Sequence, residues 1–202
     1  PLLSIHMFDD KEGIAIGAFA LSLRTEDGGK TWGYLFLDDD EFQPHLNFTY
    51  ADAQMWRKSA RNEVYAVGEL GKYYISDDRG LNWLAVDTFY DGSYWAGIKV
   101  DDGKSLLLGM SGNLTLITQY GQDDRIPGDA ITTLACYESG YFSGECKTLG
   151  FKKLNIGSKN SLTNAVTLDD GRIAMSGNGG AISIIDLYRK KNIETCVRSD
   201  RL

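Results

Sequence analysis

Two stretches of the chain hold residues from which active sites and metal loops are commonly built. "TEDGGKTW", Thr25 to Trp32, and "SDDRGLNW", Ser76 to Trp83, each place a hydroxyl first, then a carboxylate, a glycine and a tryptophan at the same spacing. A carboxylate beside a hydroxyl could move protons or supply oxygen ligands. The same pattern also has a purely local use. Hydroxyl and carboxylate accept hydrogen bonds from their own turn's N–H groups, glycine takes the positive φ, and tryptophan leads the next strand and buries its ring on the sheet. None of these tasks needs a substrate. Thr25, Asp27, Gly29, Trp32, Ser76, Asp78, Gly80 and Trp83 are therefore read as turn residues, and no catalytic residue is assigned among them.

Other reactive side chains form no coherent site. Asp38-Asp39-Asp40-Glu41 lacks the alternating ligands and central glycine of an EF-hand loop and reads as a solvated loop. Cys136, Cys146 and Cys196 have no C-x-x-C spacing and stand far in sequence from His6 and His45, so no metal site is expected. Cys136 and Cys146 flank a Gly-rich segment and either bridge, if the protein is exported, or stay as half-buried thiols. Neither histidine accompanies a recognisable nucleophile motif. "GELGKY", Gly68 to Tyr73, is half of a phosphate loop, but Ala66 replaces the first glycine and Tyr73 the Ser/Thr, so ATP binding is rejected. No cofactor is expected. Asn47 and Asn113 open glycosylation sequons that matter only in a eukaryotic secretory host.

The elements that position the turns follow from composition and repetition. The 202 residues are 43% hydrophobic and 24% charged, with 23 glycines against 3 prolines, which suits one globular domain of short strands and tight turns. A net charge of -7 argues against general affinity for nucleic acid or anionic membrane, since phosphate binding needs a local surplus of Lys and Arg. The small basic cluster Arg57, Lys58 and Arg61 reads as a solvated face. The longest mostly apolar run, Gly13 to Leu23, is too short and interrupted to span a bilayer, so no transmembrane segment is expected.

"GIAIGAFALSLRTEDGGKTW" overlays "VYAVGELGKYYISDDRGLNW", matching Gly17 with Gly68 and the two turns residue for residue. Two weaker copies, "SLLLGMSGNLTLIT" and "RIAMSGNGGAISII", place Gly109 and Ser176 at the same position. Such a period points to a propeller or another repeat array. Each unit reads as an apolar strand reaching the glycine, a short turn, an alternating strand and a strand after the Asp/Gly turn. Candidate first strands are Leu3 to Phe8, Ala53 to Lys58, Tyr94 to Val100 and Leu162 to Leu168. The fold expected is all-β, a β-propeller of four-stranded antiparallel blades at about 1–50, 51–91, 92–157 and 158–202. Gln119 to Gly157 is read as the outer strand of blade three plus an insertion, with a degenerate extra blade as the alternative.

Those motifs resemble the Asp-box (BNR) repeat propellers and, within them, the photosystem II stability/assembly factor family and its relatives in non-photosynthetic bacteria. The likeness runs through "EGIAIGAFALSLRTEDGGKTW", "VYAVGELGKYYISDDRGLNW", "YDGSYWAGIKVDDGKSLLLGMSGN" and "NSLTNAVTLDDGRIAMSGNGG". It implies a seven-bladed, non-enzymatic propeller, periplasmic or otherwise exported, or in the thylakoid lumen of a photosynthetic cell, that assists assembly of a membrane protein complex. The signal sequence such export needs is not in this chain. The arginine-rich patch of the photosynthetic members has no clear counterpart here, which favours the bacterial relatives. Four recognisable blades against seven predict self-association if blades are missing.

The partner is expected to be a protein. Its candidate contacts lie in the aromatic stretch "TFYDGSYWAG", Thr88 to Gly97, with Tyr90, Tyr94 and Trp95, together with Trp56, because Tyr and Trp are enriched at interface hot spots, although Tyr94 and Trp95 alternate and one should face the core. Sialidases also carry Asp boxes, so a glycoside hydrolase is the alternative. "RIP" at Arg125-Ile126-Pro127 echoes the start of the sialidase arginine set, but follows two of the turns instead of preceding the first.

Overall fold

The computed structural model describes residues 1–35, 46–50, 63–101, 103–121, 124–128, 131–136, 146–157, 159–188 and 194–197, with main chain alone for 46–50 and 194–197. Its strands form four antiparallel sheets. The first holds β1 (Leu2–Met7), β2 (Gly13–Gly17), β3 (Ser22–Thr25) and β4 (Gly33–Tyr34) in that order. The second holds β5 (Leu46–Tyr50), β6 (Val64–Gly68), β7 (Lys72–Ser76) and β8 (Leu84–Asp87). The third is built from β9 (Tyr94–Asp101), β10 (Lys104–Gly109), β11 (Leu114–Tyr120), β12 (Ile131–Cys136) and β13 (Cys146–Leu154). The fourth comprises β14 (Leu162–Thr167), β15 (Ile173–Gly177), β16 (Ala181–Ile185) and β17 (Glu194–Val197). The first strands adjoin one another in turn, β1 on β5, β5 on β9 and β9 on β14. The four sheets are thus blades of a partial β-propeller that does not close.

Period-two alternation explains how one strand serves two interfaces. Along β6 and β7, Val64, Ala66 and Tyr74 pack with Phe8, Ile14 and Ile16 of blade one, while Tyr65, Val67, Tyr73 and Ile75 join Tyr94, Leu107 and Phe151 of blade three. In β10, Leu107 turns back to blade two, while Leu106 and Leu108 meet Leu162, Ile173 and Met175 of blade four. These strands read as continuous apolar runs because both their faces are covered.

Two sequence readings shift. The second sheet already begins at Leu46, whose main chain pairs with Gly68, so the blade boundary placed after residue 50 moves upstream; the candidate strand Ala53 to Lys58 lies outside the described residues. In blade four the equivalent of Gly17 is Gly177, not Ser176. Leu162 pairs with Gly177 as Leu2 pairs with Gly17, and a Cβ at Gly177 would stand 2.2 Å from the Ser161 carbonyl, as one at Gly17 would stand 2.1 Å from the Pro1 carbonyl. Only a glycine permits that approach.

The Gln119–Gly157 segment contributes two strands to one sheet. β13 pairs with β11 as the fourth strand of blade three, and β12 pairs with the outer side of β13 as a fifth. Cys136 and Cys146 face each other across that hairpin and are joined by a disulfide, with Cα atoms 4.0 Å apart.

Candidate functional site

The two ends of the blades differ in chemistry. At one end lie the β1–β2 and β3–β4 turns, rich in aspartate; at the other lie the β2–β3 turns and the connections into the next blade, here called the Asp end and the Gly end.

At the Asp end, the Thr25 hydroxyl accepts from Gly29 N at 2.9 Å and donates to Asp27 Oδ1 at 3.0 Å. Asp27 accepts the Thr31 amide at 2.9 Å and the Thr31 hydroxyl at 2.6 Å, and Trp32 Nε1 donates to the Gly29 carbonyl at 3.1 Å. Blade two repeats each bond. Ser76 accepts from Gly80 N at 2.8 Å, Asp78 accepts Asn82 N at 2.9 Å and Asn82 Nδ2 at 2.6 Å, and Trp83 Nε1 donates to the Gly80 carbonyl at 3.0 Å. Gly29 and Gly80 hold φ of 83° and 78°. The Thr31 hydroxyl and amide lower the Asp27 pKa to about 2. Both tryptophans are half-buried.

Several of the remaining charges of the Asp end tie blades together. Arg79, in the blade-two turn, reaches Asp9 at 2.7 Å and Glu12 at 3.2 Å in blade one, and Arg24 donates to the Arg79 carbonyl at 2.6 Å and pairs with Glu12 at 3.1 Å. Asp77 pairs with Lys147 of blade three at 3.1 Å, and Asp101 of blade three accepts the Tyr188 hydroxyl of blade four at 2.6 Å. Arg125 is exposed on the connection after β11. Among the described residues no group of three or more His, Cys, Asp and Glu could hold a metal ion, and no helix is long and apolar enough to cross a membrane.

The four proposed partner contacts separate. Tyr94 is fully buried, with its hydroxyl donating to Thr115 at 2.9 Å, so it belongs to the core and cannot touch a partner. Its neighbour Trp95 is half-buried, and its Nε1 has no hydrogen-bond partner among the described residues. Trp95 is the extra residue of a β-bulge, since Tyr94 and Ala96 pair with the consecutive residues Gly109 and Leu108; Leu3 and Thr163 occupy the same bulge in blades one and four. Bulges of this kind re-aim a side chain. Tyr90 is half-buried and donates to the Met110 carbonyl at 3.3 Å. Trp56 and His45 lie outside the described residues. Asn113 is buried, with its Oδ1 bonded by the Thr115 hydroxyl at 3.0 Å, which removes it as a glycosylation acceptor.

The Gly end holds Phe19, Leu70 and Met110, which sequence reasoning did not single out, and Phe89, which lies beside Tyr90 in the aromatic stretch 88–97. Phe19, Leu70, Phe89 and Met110 are exposed by 65%, 49%, 62% and 42%. Phe19, Leu70 and Phe89 also adopt φ of 58°, 53° and 57°, in the left-handed region. That conformation disfavours bulky side chains by about 1–2 kcal/mol each and is ordinarily filled by Gly, Asn or Asp. Residues 88–93 stitch the neighbouring turns into one surface: Gly71 N donates to Gly92 O at 2.7 Å, Met110 N to Ser93 O at 3.0 Å, and the Thr88 hydroxyl to Gly71 O at 2.8 Å. Phe89 packs edge-on against Phe151 with centroids 5.4 Å apart. The signal available in the sequence was positional, an apolar residue one or two places after Gly17, Gly68 and Gly109 where a tight turn calls for a polar one.

No family model and no curated protein matches the chain. Solved structures do. A structure of YCF48 bound to D1 peptide is 19% identical, with a TM-score of 0.47, covering 92% of this chain and 65% of that one. YCF48 from Cyanidioschyzon merolae is 14% identical, with a TM-score of 0.46, covering 96% and 71%. The C-terminal WD40 domain of Sif2 is 10% identical, with a TM-score of 0.50, covering 92% and 57%. The chain therefore spans about two-thirds of each YCF48 chain and just over half of the WD40 chain. The likeness to the WD40 domain is one of fold, the β-propeller, and extends to no chemistry.

Proposed function

We propose that this chain is a non-enzymatic binding scaffold on an Asp-box propeller, and that it assists assembly or stability of a membrane-associated protein complex through protein-protein contacts. One observation carries the reading. The Asp27 and Asp78 carboxylates, the most tempting catalytic groups in the sequence, are each engaged by N–H and side-chain donors of their own turn. Their neighbours Arg24, Arg79 and Asp77 hold adjacent blades together. Hydrogen-bonding capacity spent on turns and joints is not available to a substrate. The resemblance of the repeat motifs to assembly factors points the same way, and the Cys136–Cys146 disulfide suits the periplasm or another exported compartment.

The test is cross-linking in the host followed by mass spectrometry of the membrane fraction. Cross-links to subunits of one membrane complex, whose yield falls when the gene is deleted, are the expected result. Cleavage of a fluorogenic sialoside by the purified chain, lost on Arg125→Ala, would overturn the scaffold reading in favour of the glycoside hydrolase.

A further inference from the structure

The tight turns of the Gly end need left-handed backbone, as Ser111 and Gly179 also show, but they do not need bulky apolar residues in it. Three bulky apolar residues, Phe19, Leu70 and Phe89, occupy left-handed backbone positions and are exposed there. Observed strain of this kind clusters at ligand clamps and binding sites. The strip is also electrically biased: residues 69–72 and 87–93 carry Glu69, Asp87 and Asp91 against Lys72. A negative surplus around apolar side chains repels anionic lipid headgroups and nucleic-acid phosphates, and attracts Lys and Arg.

We propose that the Gly end of blades one to three, centred on Leu70 and Phe89, docks an extended protein segment that presents aliphatic or aromatic side chains flanked by Lys or Arg. The inference rests on the scaffold reading above and adds the surface and the chemistry of what it holds. Leu70, Phe89, Tyr90 and Met110 supply the apolar contacts, and the 88–93 connection, hydrogen-bonded to the turns on both sides, holds them in one arrangement before the partner arrives. Such preorganisation lowers the entropy lost on binding.

The experiment selects peptides from a displayed random dodecapeptide library against the full chain, then titrates labelled versions by fluorescence anisotropy. Apolar peptides with flanking Lys or Arg are expected, weakened about tenfold or more by Leu70→Asn and by Phe89→Asn. The melting temperature of both variants should stay level or rise, because asparagine accepts the left-handed backbone. A merely structural role would move stability and binding in the same direction. Peptides that bind both variants as tightly as the wild type overturn the proposed surface and leave the scaffold reading standing. Selection of acid-flanked peptides overturns the charge complementarity, and variant-sensitive binding to phosphatidylserine vesicles assigns the surface to a membrane instead. Recovery of no peptide counts against both the surface and the scaffold reading.

Discussion

Replacing Glu63 with Gln should loosen the joint between blades two and three more than any surface substitution. Glu63 precedes β6, and the Lys99 ammonium of β9 is hydrogen-bonded to its carboxylate; the side chains are 12% and 6% exposed. The Tyr65 hydroxyl donates to the same carboxylate at 2.8 Å, and the Lys99 ammonium lies 5.7 Å from the centroid of the Tyr65 ring. Removing one member of a buried pair leaves the other charge uncompensated, which costs about 3–5 kcal/mol. The lower end applies here, because glutamine keeps an oxygen for Lys99 and the Tyr65 ring faces the ammonium. For a chain of this size about 3 kcal/mol corresponds to a fall of roughly 6–12 °C in melting temperature.

The companion variant Glu63→Leu with Lys99→Met removes both charges and should recover most of that loss, since a buried pair is often no better than apolar residues of similar volume. Thermal melts followed by circular dichroism at neutral pH, with denaturant titrations, measure both. Acid supplies an internal check. Burial raises the Glu63 pKa, but the Lys99 hydrogen bond and charge, the Tyr65 hydroxyl and the Lys147 charge outweigh it and leave the carboxyl below its ordinary value. A depressed folded pKa contributes stability that is full above the unfolded value and is lost as pH falls through the folded one. Wild type and Glu63→Gln should therefore converge below the ordinary carboxylate range. A Glu63→Gln variant within about 0.5 kcal/mol of wild type at pH 7, the usual range for exposed sites, would refute the assignment of this pair as a buried joint.

Two further outcomes are expected. Gly71→Ala places a methyl 1.9 Å from the Tyr90 carbonyl at φ +67°, whereas Gly157→Ala, at φ +71°, meets nothing within 4 Å; denaturant melts should show both losing about 1 kcal/mol to backbone strain and Gly71→Ala losing about 1–3 kcal/mol more to overpacking. The Thr31 amide, bonded to Asp27, should titrate in NMR spectra with a midpoint at about 2, and its turn should hold as pH falls from 4 towards that value, because the folded pKa lies below the ordinary 3.8; a midpoint at the ordinary value would mean the Thr31 bonds do not form in solution.

The parts of this fold legible in the sequence are those whose causes are local. A hydroxyl, a carboxylate and a glycine at fixed spacing dictate the Asp turns, because the donors and acceptors involved lie within eight residues. Gly177 was missed in favour of Ser176 because what selects glycine there is the Ser161 carbonyl, which approaches from the preceding connection. β5 was missed because its role is set by pairing with β6, in which Leu46 meets Gly68, and not by a local pattern. Tyr94 and Trp95 were separable only in part, since alternation says that one faces inward while a bulge at Trp95 determines how the pair is displayed. The Gly end was hidden for a different reason. The short turn after each glycine was legible, but an apolar residue in it reads as the end of a strand, and its exposure and positive φ are seen only in the folded chain.

Polar and apolar side chains have divided the work between the two ends of the blades. A propeller blade needs something to fix its angle to the next, and cores such as that of Tyr73, Leu107 and Phe151 supply attraction without direction. Direction comes from the Asp end, where Arg79 and Asp77 point from one turn into the blades on either side. The opposite end has joints too, but those of the 88–93 connection run mainly through the main chain, which leaves side chains such as Leu70 to be chosen for what they display. That is the setting in which Phe19, Leu70 and Phe89 can hold a conformation unfavourable by about 1–2 kcal/mol each. If the joints set the display, weakening them should blur it: Glu63→Gln, remote from the Gly end, should weaken peptide binding there, while the charge-free pair Glu63→Leu and Lys99→Met should restore it.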